Sequence, residues 1–275
     1  MTQKSTVLIT GCSSGIGNAT AKHFAAQDWN VIATTRSGQE TQDLMNSPNV
    51  FITRLDVQDP ASIAAALDAG IARFGRIDTL INNAGFGLQG IFEATPKENI
   101  LKQFEVNVFG VMDVVRAILP HLREHGGGVI LNVSSGAGIF TLPLMSLYCA
   151  SKFALEGFSE GLAWEVAPQN IMIKLIEPGG VPTTKFLQKT AEIGNVNKNP
   201  PAYDGFLEKS ERFFGQMISH ASAQASDVAA EIYQAATDGT DQLRYVVTDD
   251  IKPLITLRHE AGEAQYIATL RTMIG

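Results

Sequence analysis

The chain has 275 residues, 45% of them hydrophobic and 18% charged, enough to bury a large core and too apolar for a disordered segment. Its 21 basic and 28 acidic side chains leave a net charge of -7, which argues against nucleic acid as a partner. The opening MTQKSTVLIT lacks a signal peptide's apolar region and cleavage site, no apolar run reaches the ~18 residues that span a bilayer, and two cysteines make no disulfide framework, so a cytoplasmic protein without a membrane span is expected.

In chain order, the strand candidates are TVLIT (6–10), NVIATT (30–35), NVFITRL (49–55), DTLIN (78–82), GVILNV (128–133) and IMIKLIE (171–177). They are near-continuous runs of Val, Ile and Leu, as strands buried on both faces should be. Helical patterns lie between them at 16–27, 61–74, 97–124 and 147–167. This alternation predicts an α/β fold, a Rossmann-type doubly wound parallel sheet with helices on both faces. After Pro178, residues 179–202 read as a flexible loop ending in the polar run GNVNKNPP, followed by a helix over 203–219. A further helix is expected with Ser226 as its N-cap and Asp227 in its first turn. RYVVT (244–248) reads as a last strand and 253–273 as a closing helix. Without a linker, residues 1–275 are expected to form one domain, with a substrate lid at about 183–225.

The first strand runs into TGCSSGIG (10–17) and then a helix. Gly11, Gly15 and Gly17, with Ser13, Ser14 and Ile16 between them, lie where the chain must turn sharply and let a ligand approach the backbone. The helix N-terminus behind them offers free N–H groups and partial positive charge, which suits a dinucleotide pyrophosphate. The second strand ends in ATTRS, with Arg36 and no carboxylate before Glu40. A guanidinium there suits a 2'-phosphate, so NADP(H) is expected in preference to NAD(H).

Tyr148 and Lys152, in LYCASKF, would share one helix face one turn apart. The pair by itself fits either a surface contact or a phenol tuned by an ammonium group. Cys12 and Cys149 have no base nearby in sequence and read as small space-fillers.

Several motifs in order decide between these readings: TGCSSGIG (10–17), NNAG (82–85), FEVNVFG (104–110), NVSSGAG (132–138), YCASK (148–152) and PGGVPT (178–183). Over residues 5–185 the sequence resembles the short-chain dehydrogenase/reductase family, and TGCSSGIG with ATTR is most similar to its hydroxysteroid and retinol dehydrogenase branch. The resemblance implies Tyr148 as acid/base, Lys152 as its electrostatic partner and ribose ligand, and Ser135 as the hydroxyl orienting the substrate oxygen. Asn107 would complete a tetrad by holding a relay water. Asp56 and Val57 would flank the adenine, and Asn83, Ala84 and Gly85 would support the ribose. Pro178, Gly179, Val181 and Thr183 would border the nicotinamide, with Val181 and Thr183 at its carboxamide.

Hydride transfer to a ketone leaves an alkoxide that must be protonated as it forms, and the cofactor cannot supply that proton. Bringing a phenol from ~10 to ~7 requires about 4 kcal/mol of differential stabilisation, which a nearby ammonium in a dry site can contribute to. The bulky apolar residues Phe186, Leu187, Phe206, Phe213, Phe214 and Met217, with Phe86, Phe140, Leu142 and Met145, point to a hydrophobic ketone, aldehyde or alcohol as substrate, or in part to core beneath a lid. The pattern HLREH (121–125) matches a metal-binding motif literally, but its histidines close a helix and no further ligand motif follows, so no metal is expected. Gly157 and Gly161 make a smooth helix face for packing within the subunit or across an interface, and a homodimer or homotetramer is expected. The competing readings are a dinucleotide-binding regulatory protein without catalysis, an epimerase or dehydratase using the same pair, and an NAD-linked alcohol dehydrogenase.

Overall fold

A computed structural model describes residues 4–38, 43–45, 47–194 and 199–275. Seven parallel strands form one sheet in the order β3-β2-β1-β4-β5-β6-β7. They are β1 (Thr6–Ile9), β2 (Asn30–Thr35), β3 (Val50–Arg54), β4 (Thr79–Asn82), β5 (Gly128–Val133), β6 (Ile171–Glu177) and β7 (Arg244–Val246). The direction of winding reverses between β1 and β4, and the crevice at their carboxyl ends is where such sheets bind ligands.

Alternation along each strand explains why the runs look uniformly apolar. Leu8, Ile32, Leu80 and Ile130 enter one core, while Val7, Ile9, Val31, Ala33, Ile81 and Leu131 enter the other. The first core is closed by α2 (Pro60–Phe74), α4 (Gly110–Glu124) and α5 (Ser146–Val166), through Ile63, Leu67, Val114, Ile118 and Leu155. The second is closed by α1 (Gly15–Ala26) and α8 (Ala225–Thr237), through Ala21, Phe24, Val228 and Ile232. Each such Val, Leu, Ile or Phe side chain contributes roughly 1.5–3 kcal/mol when buried. Local signals set the ends of α2: the Asp59 carboxylate accepts from the N–H groups of Ala61 and Ser62 at 3.1 and 3.2 Å, and Gly75, at φ 88°, ends it.

Four expectations change. The stretch 97–124 is α3 (Lys97–Phe104) and α4 joined by a π-helical turn, Glu105–Phe109, which widens the backbone around Asn107. The span 179–202 is not all loop, because α6 (Phe186–Gly194) forms with Phe186 and Leu187 half-buried. Residues 195–198 of GNVNKNPP lie outside the described residues. The N-cap of α8 is Gln224 rather than Ser226: Gln224 and Asp227 form a reciprocal capping box, with Gln224 N donating to Asp227 Oδ2 at 2.8 Å. The closing segment is two helices, α9 (Lys252–Glu260) and α10 (Glu263–Ile274), because Ala261 and Gly262 are extended. The helix expected over 203–219 is α7 (Asp204–His220). No described helix is long and apolar enough to cross a membrane.

Candidate active site

A cleft of about 510 Å³ opens at the carboxyl edge of the sheet. Its floor is the turn from β1 into α1. Thr10 Oγ1 accepts from the backbone N–H groups of Asn83 and Ala84, both at 3.0 Å, and Asn83 Nδ2 donates to the carbonyls of Thr10 and Gly11 at 2.9 and 3.2 Å. The residues after β4 therefore clamp the glycine-rich turn. Gly11 sits at φ 75°, and a Cβ at Gly17 would come within 2.3 Å of Asn83 Nδ2 and 2.4 Å of the Gly11 carbonyl. Only glycine fits that approach. The Ser14 side chain makes no capping bond, which leaves the first N–H groups of α1 to a ligand.

Gly11, Ser13, Ser14, Gly15, Ile16 and Gly17 line the cleft, as do Arg36, Asp56, Val57, Asn83, Ala84 and Gly85. Arg36 is exposed at its edge and forms no ion pair among the described residues. Pro178, Gly179 and Val181 also line it, whereas Thr183 does not: its hydroxyl accepts from Ala225 N at 3.3 Å, and Thr184 lines the cleft instead. A glycine-lined anion seat with an exposed guanidinium at its edge fits a dinucleotide.

Ser135, Tyr148 and Lys152 meet on the opposite wall. Ser135 follows β5, its Oγ 3.4 Å from the Pro178 carbonyl and accepting from Ala137 N at 3.2 Å. Tyr148 is 5% exposed, and burial raises its phenol above the ordinary range while the Ser135 hydroxyl pulls it down. Lys152 is 6% exposed, its Nζ donating to the Val133 carbonyl at 2.9 Å and lying 5.8 Å from the Tyr148 ring centroid. Burial lowers its ammonium to about 8, against an upward pull from Glu156. The phenol is thus held in its proton-donating form beside a cation.

Asn107 does not line the cleft. It is 1% exposed, its Nδ2 donating to the Phe86 carbonyl at 2.9 Å and to Ser151 Oγ at 3.3 Å, while its Oδ1 accepts from Phe86 N at 3.1 Å. Its side chain holds the loop after Gly85 in place. Sequence reading missed three anchors of the same kind. Thr10 opens the glycine-rich motif without any sign that its hydroxyl holds the chain after β4. Thr248 and Asp250 accept from Gly179 N and Gly180 N, both at 2.8 Å, and lie about 70 residues away in sequence with no motif to flag them.

The apolar wall comprises Phe86, Phe140, Leu142, Met145, Phe186, Leu187, Phe214 and Met217, with the Phe186 ring 5.7 Å from that of Tyr148. Phe213 is buried behind it, edge-on to Phe214, and Phe206 is 37% exposed; neither lines the cleft. The thiols of Cys12 and Cys149 are buried and pushed up, Cys12 to about 12, which suits packing rather than reaction. In HLREH, His121 Nε2 accepts from Ile77 N at 3.0 Å and its ring stacks at 4.1 Å on His125.

A family model of short chain dehydrogenases matches residues 5–193. An uncharacterized oxidoreductase of Schizosaccharomyces pombe is 36% identical over 87% of this chain and 99% of its own. The 17-beta-hydroxysteroid dehydrogenase type 1 of Homo sapiens is 35% identical over 93% of this chain and 81% of its own. A 3-ketodihydrosphingosine reductase of Bacteroides thetaiotaomicron is 40% identical over 76% of this chain and 78% of its own. Among solved structures, a short-chain dehydrogenase from Streptomyces avermitilis superposes with a TM-score of 0.83 at 32% identity, covering 99% of this chain and 98% of that one. ElxO with NADP bound gives 0.74 at 29%, covering 89% and 97%. A Burkholderia phymatum relative in complex with NAD gives 0.80 at 26%, covering 96% and 97%.

Proposed function

The chain belongs to the short-chain dehydrogenase family, and we propose that it is an NADP(H)-dependent oxidoreductase interconverting a bulky hydrophobic ketone or aldehyde and its alcohol. The observation that carries this reading is the meeting of Ser135, Tyr148 and Lys152 on one wall of a cleft whose floor is the glycine-rich turn and whose rim is apolar.

Bound on that floor, the dinucleotide supplies the hydride. Gly11 to Gly17 and the N-terminus of α1 would hold its pyrophosphate, Arg36 its 2'-phosphate, Asp56 and Val57 its adenine end, and Lys152 its ribose. Ser135 donates a hydrogen bond to the carbonyl oxygen and orients it. Tyr148 passes its phenolic proton to that oxygen as negative charge develops there. Lys152, one turn along α5, stabilises the phenolate left behind. Asn107 acts through the backbone of Phe86, by keeping that side of the cleft in register.

Phe140, Leu142, Met145, Phe186 and Phe214 exclude water and favour a large apolar substrate. The relatives named for a hydroxysteroid and for a ketodihydrosphingosine support that class. Arg36 supports NADP(H) over NAD(H), although relatives with either cofactor superpose on the chain. The outer face of α5 supports a homodimer or homotetramer: nothing lies within 4 Å of a Cβ built at Gly157 or Gly161, and Phe153 and Trp164 beside them are 39% and 77% exposed. A cytoplasmic setting completes the reading.

The test is a panel of hydrophobic ketones and aldehydes, with initial rates in NADPH and NADH. Turnover of large apolar carbonyls with NADPH favoured tenfold or more supports the reading. Absence of turnover across the panel while NADPH binds would instead make the protein a dinucleotide-binding regulator.

A further inference from the structure

Behind Lys152, away from the cleft, a buried charge cluster ties four elements together. Tyr148, Lys152 and Glu156 follow one another at four-residue intervals, so phenol, ammonium and carboxylate share one face of α5. Glu156 is 5% exposed, and Glu177, the last residue of β6 before the Pro178 loop, is 1% exposed. Both turn toward Arg244 at the start of β7. Its Nε is 2.9 Å from Glu156 Oε2 and 3.6 Å from Glu177 Oε1, and its Nη2 is 2.6 Å from Glu160 Oε2. The remaining oxygen of Glu156 and the near oxygen of Glu177 are buried without a partner at normal hydrogen-bond geometry.

Around this pair stand Lys152 and Glu160 from α5, Ser134 after β5, Arg244 from β7 and the turn at Gly138. A Cβ at Gly138 would come within 2.9 Å of both Ser134 Oγ and Glu156 Cγ, so no water-sized gap separates the carboxylate from the turn that carries Ser135. Three carboxylates therefore converge on Arg244, and one of them, Glu156, follows Lys152 by one turn of α5. Two buried carboxylates cannot both stay ionised against one shared guanidinium. Burial raises both, and Glu177, with the Glu156 charge as a second cause, reaches about 8. The Glu156 charge acts in turn on Lys152, opposing its burial.

We propose that Glu156 is a positioning residue for the active site: the Glu156–Glu177 pair holds one shared proton, Arg244 fixes it to the sheet, and its single negative charge keeps Lys152 an ammonium. The charge belongs to Glu156 and the proton to Glu177, because the Arg244 guanidinium lies 2.9 Å from the first and 3.6 Å from the second. This deepens the function proposed above and rests on it only where turnover is measured.

The experiment follows the Lys152 Cε signal in carbon-13-labelled, ligand-free protein through a pH titration, with Lys152→Met to assign it. Glu156→Gln is expected to lower the midpoint by about one unit, whereas Glu160→Gln, which removes only the outer carboxylate, leaves it in place. The alkaline limb of kcat against pH moves down with it. A Lys152 midpoint unmoved in Glu156→Gln, or moved equally in Glu160→Gln, overturns the proposal whatever the activity. A midpoint that moves in a protein inactive on every carbonyl tested supports the cluster and overturns the reductase. Should Glu156→Gln fail to fold, the wild-type infrared spectrum decides: the carbonyl band of a protonated buried carboxyl is expected at neutral pH and is lost in Glu177→Gln. Its absence from wild type overturns the shared proton.

Discussion

Tyr148 and Lys152 sit one helical turn apart, yet burial moves them in opposite directions, the phenol up and the ammonium down to about 8. At neutral pH both therefore keep their protons, which is the state needed to deliver one to an alkoxide. Tyr148→Phe removes the donor and leaves the ring packed against Phe186, so kcat should fall at least a thousandfold while NADPH binding, read by fluorescence, stays within about twofold. Residual turnover at a tenth of wild type would exclude the phenol as the acid. Arg36→Asp should shift kcat/KM toward NADH, and unchanged cofactor selectivity would refute the proposed 2'-phosphate role of Arg36. Lys152 also sets a stability term. Its folded value of about 8 lies below the ordinary 10.5, so the folded protein releases this proton before the unfolded chain does. The penalty is complete below pH 8 and is relieved as pH rises from about 8 to 10.5. Lys152→Met should thus be inactive but more resistant to urea at pH 7 by up to about 3 kcal/mol, less the lost bond to Val133. A stability difference that does not shrink above pH 10 would contradict this.

At the scale of elements, Asn107 shows how a helix irregularity serves the site. The π-helical turn Glu105–Phe109 gives its side chain both polar groups of Phe86. Asn107→Ala leaves that backbone undersatisfied in a buried place, and should cost roughly 2 kcal/mol in urea unfolding while raising KM for the cofactor. The helical pattern of 97–124 predicts a helix but not its change of pitch, because one extra residue within a single turn leaves the pattern on either side helical. The split of the closing helix at Gly262 has a similar result. It lets α10 turn back so that Tyr266 and Leu270 pack with Phe140 and Ile139, while Tyr266 Oη accepts from Thr141 N at 3.3 Å. Tyr266→Ala should raise KM for a bulky ketone several-fold with little change in KM for NADPH, since it loosens the loop at Ile139, Phe140 and Thr141 beside the apolar wall and not the glycine-rich turn.

On the scale of the whole molecule, two buried cores flank one sheet, and the site lies at the edge where both end. The exposed stripe Phe153, Gly157, Gly161 and Trp164 lies on the outer face of α5, the helix that carries Tyr148 and Lys152. If that face joins subunits, Trp164→Glu should lower the mass seen by analytical ultracentrifugation by at least half without unfolding the chain. An unchanged mass would place the interface elsewhere.

By itself the sequence determined the strands, the buried character of the central ones, the glycine-rich turn and the one-turn spacing of Tyr148 and Lys152. Those features are local: each depends on side-chain alternation, on a turn that only glycine allows, or on a spacing within one helix. It could not place Gln224 over Ser226 as the cap of α8, since both are polar residues preceding the same apolar pattern and the reciprocal bond to Asp227 selects between them. Nor could it find Thr248 and Asp250, which hold the Pro178 loop from a distant part of the chain. Tertiary structure alone brought Glu156, Glu177 and Arg244 together behind Lys152. The reason is physical: a contact between side chains far apart in sequence depends on the register of the strands and the angle of the helices between them, and neither is written in any short stretch of residues.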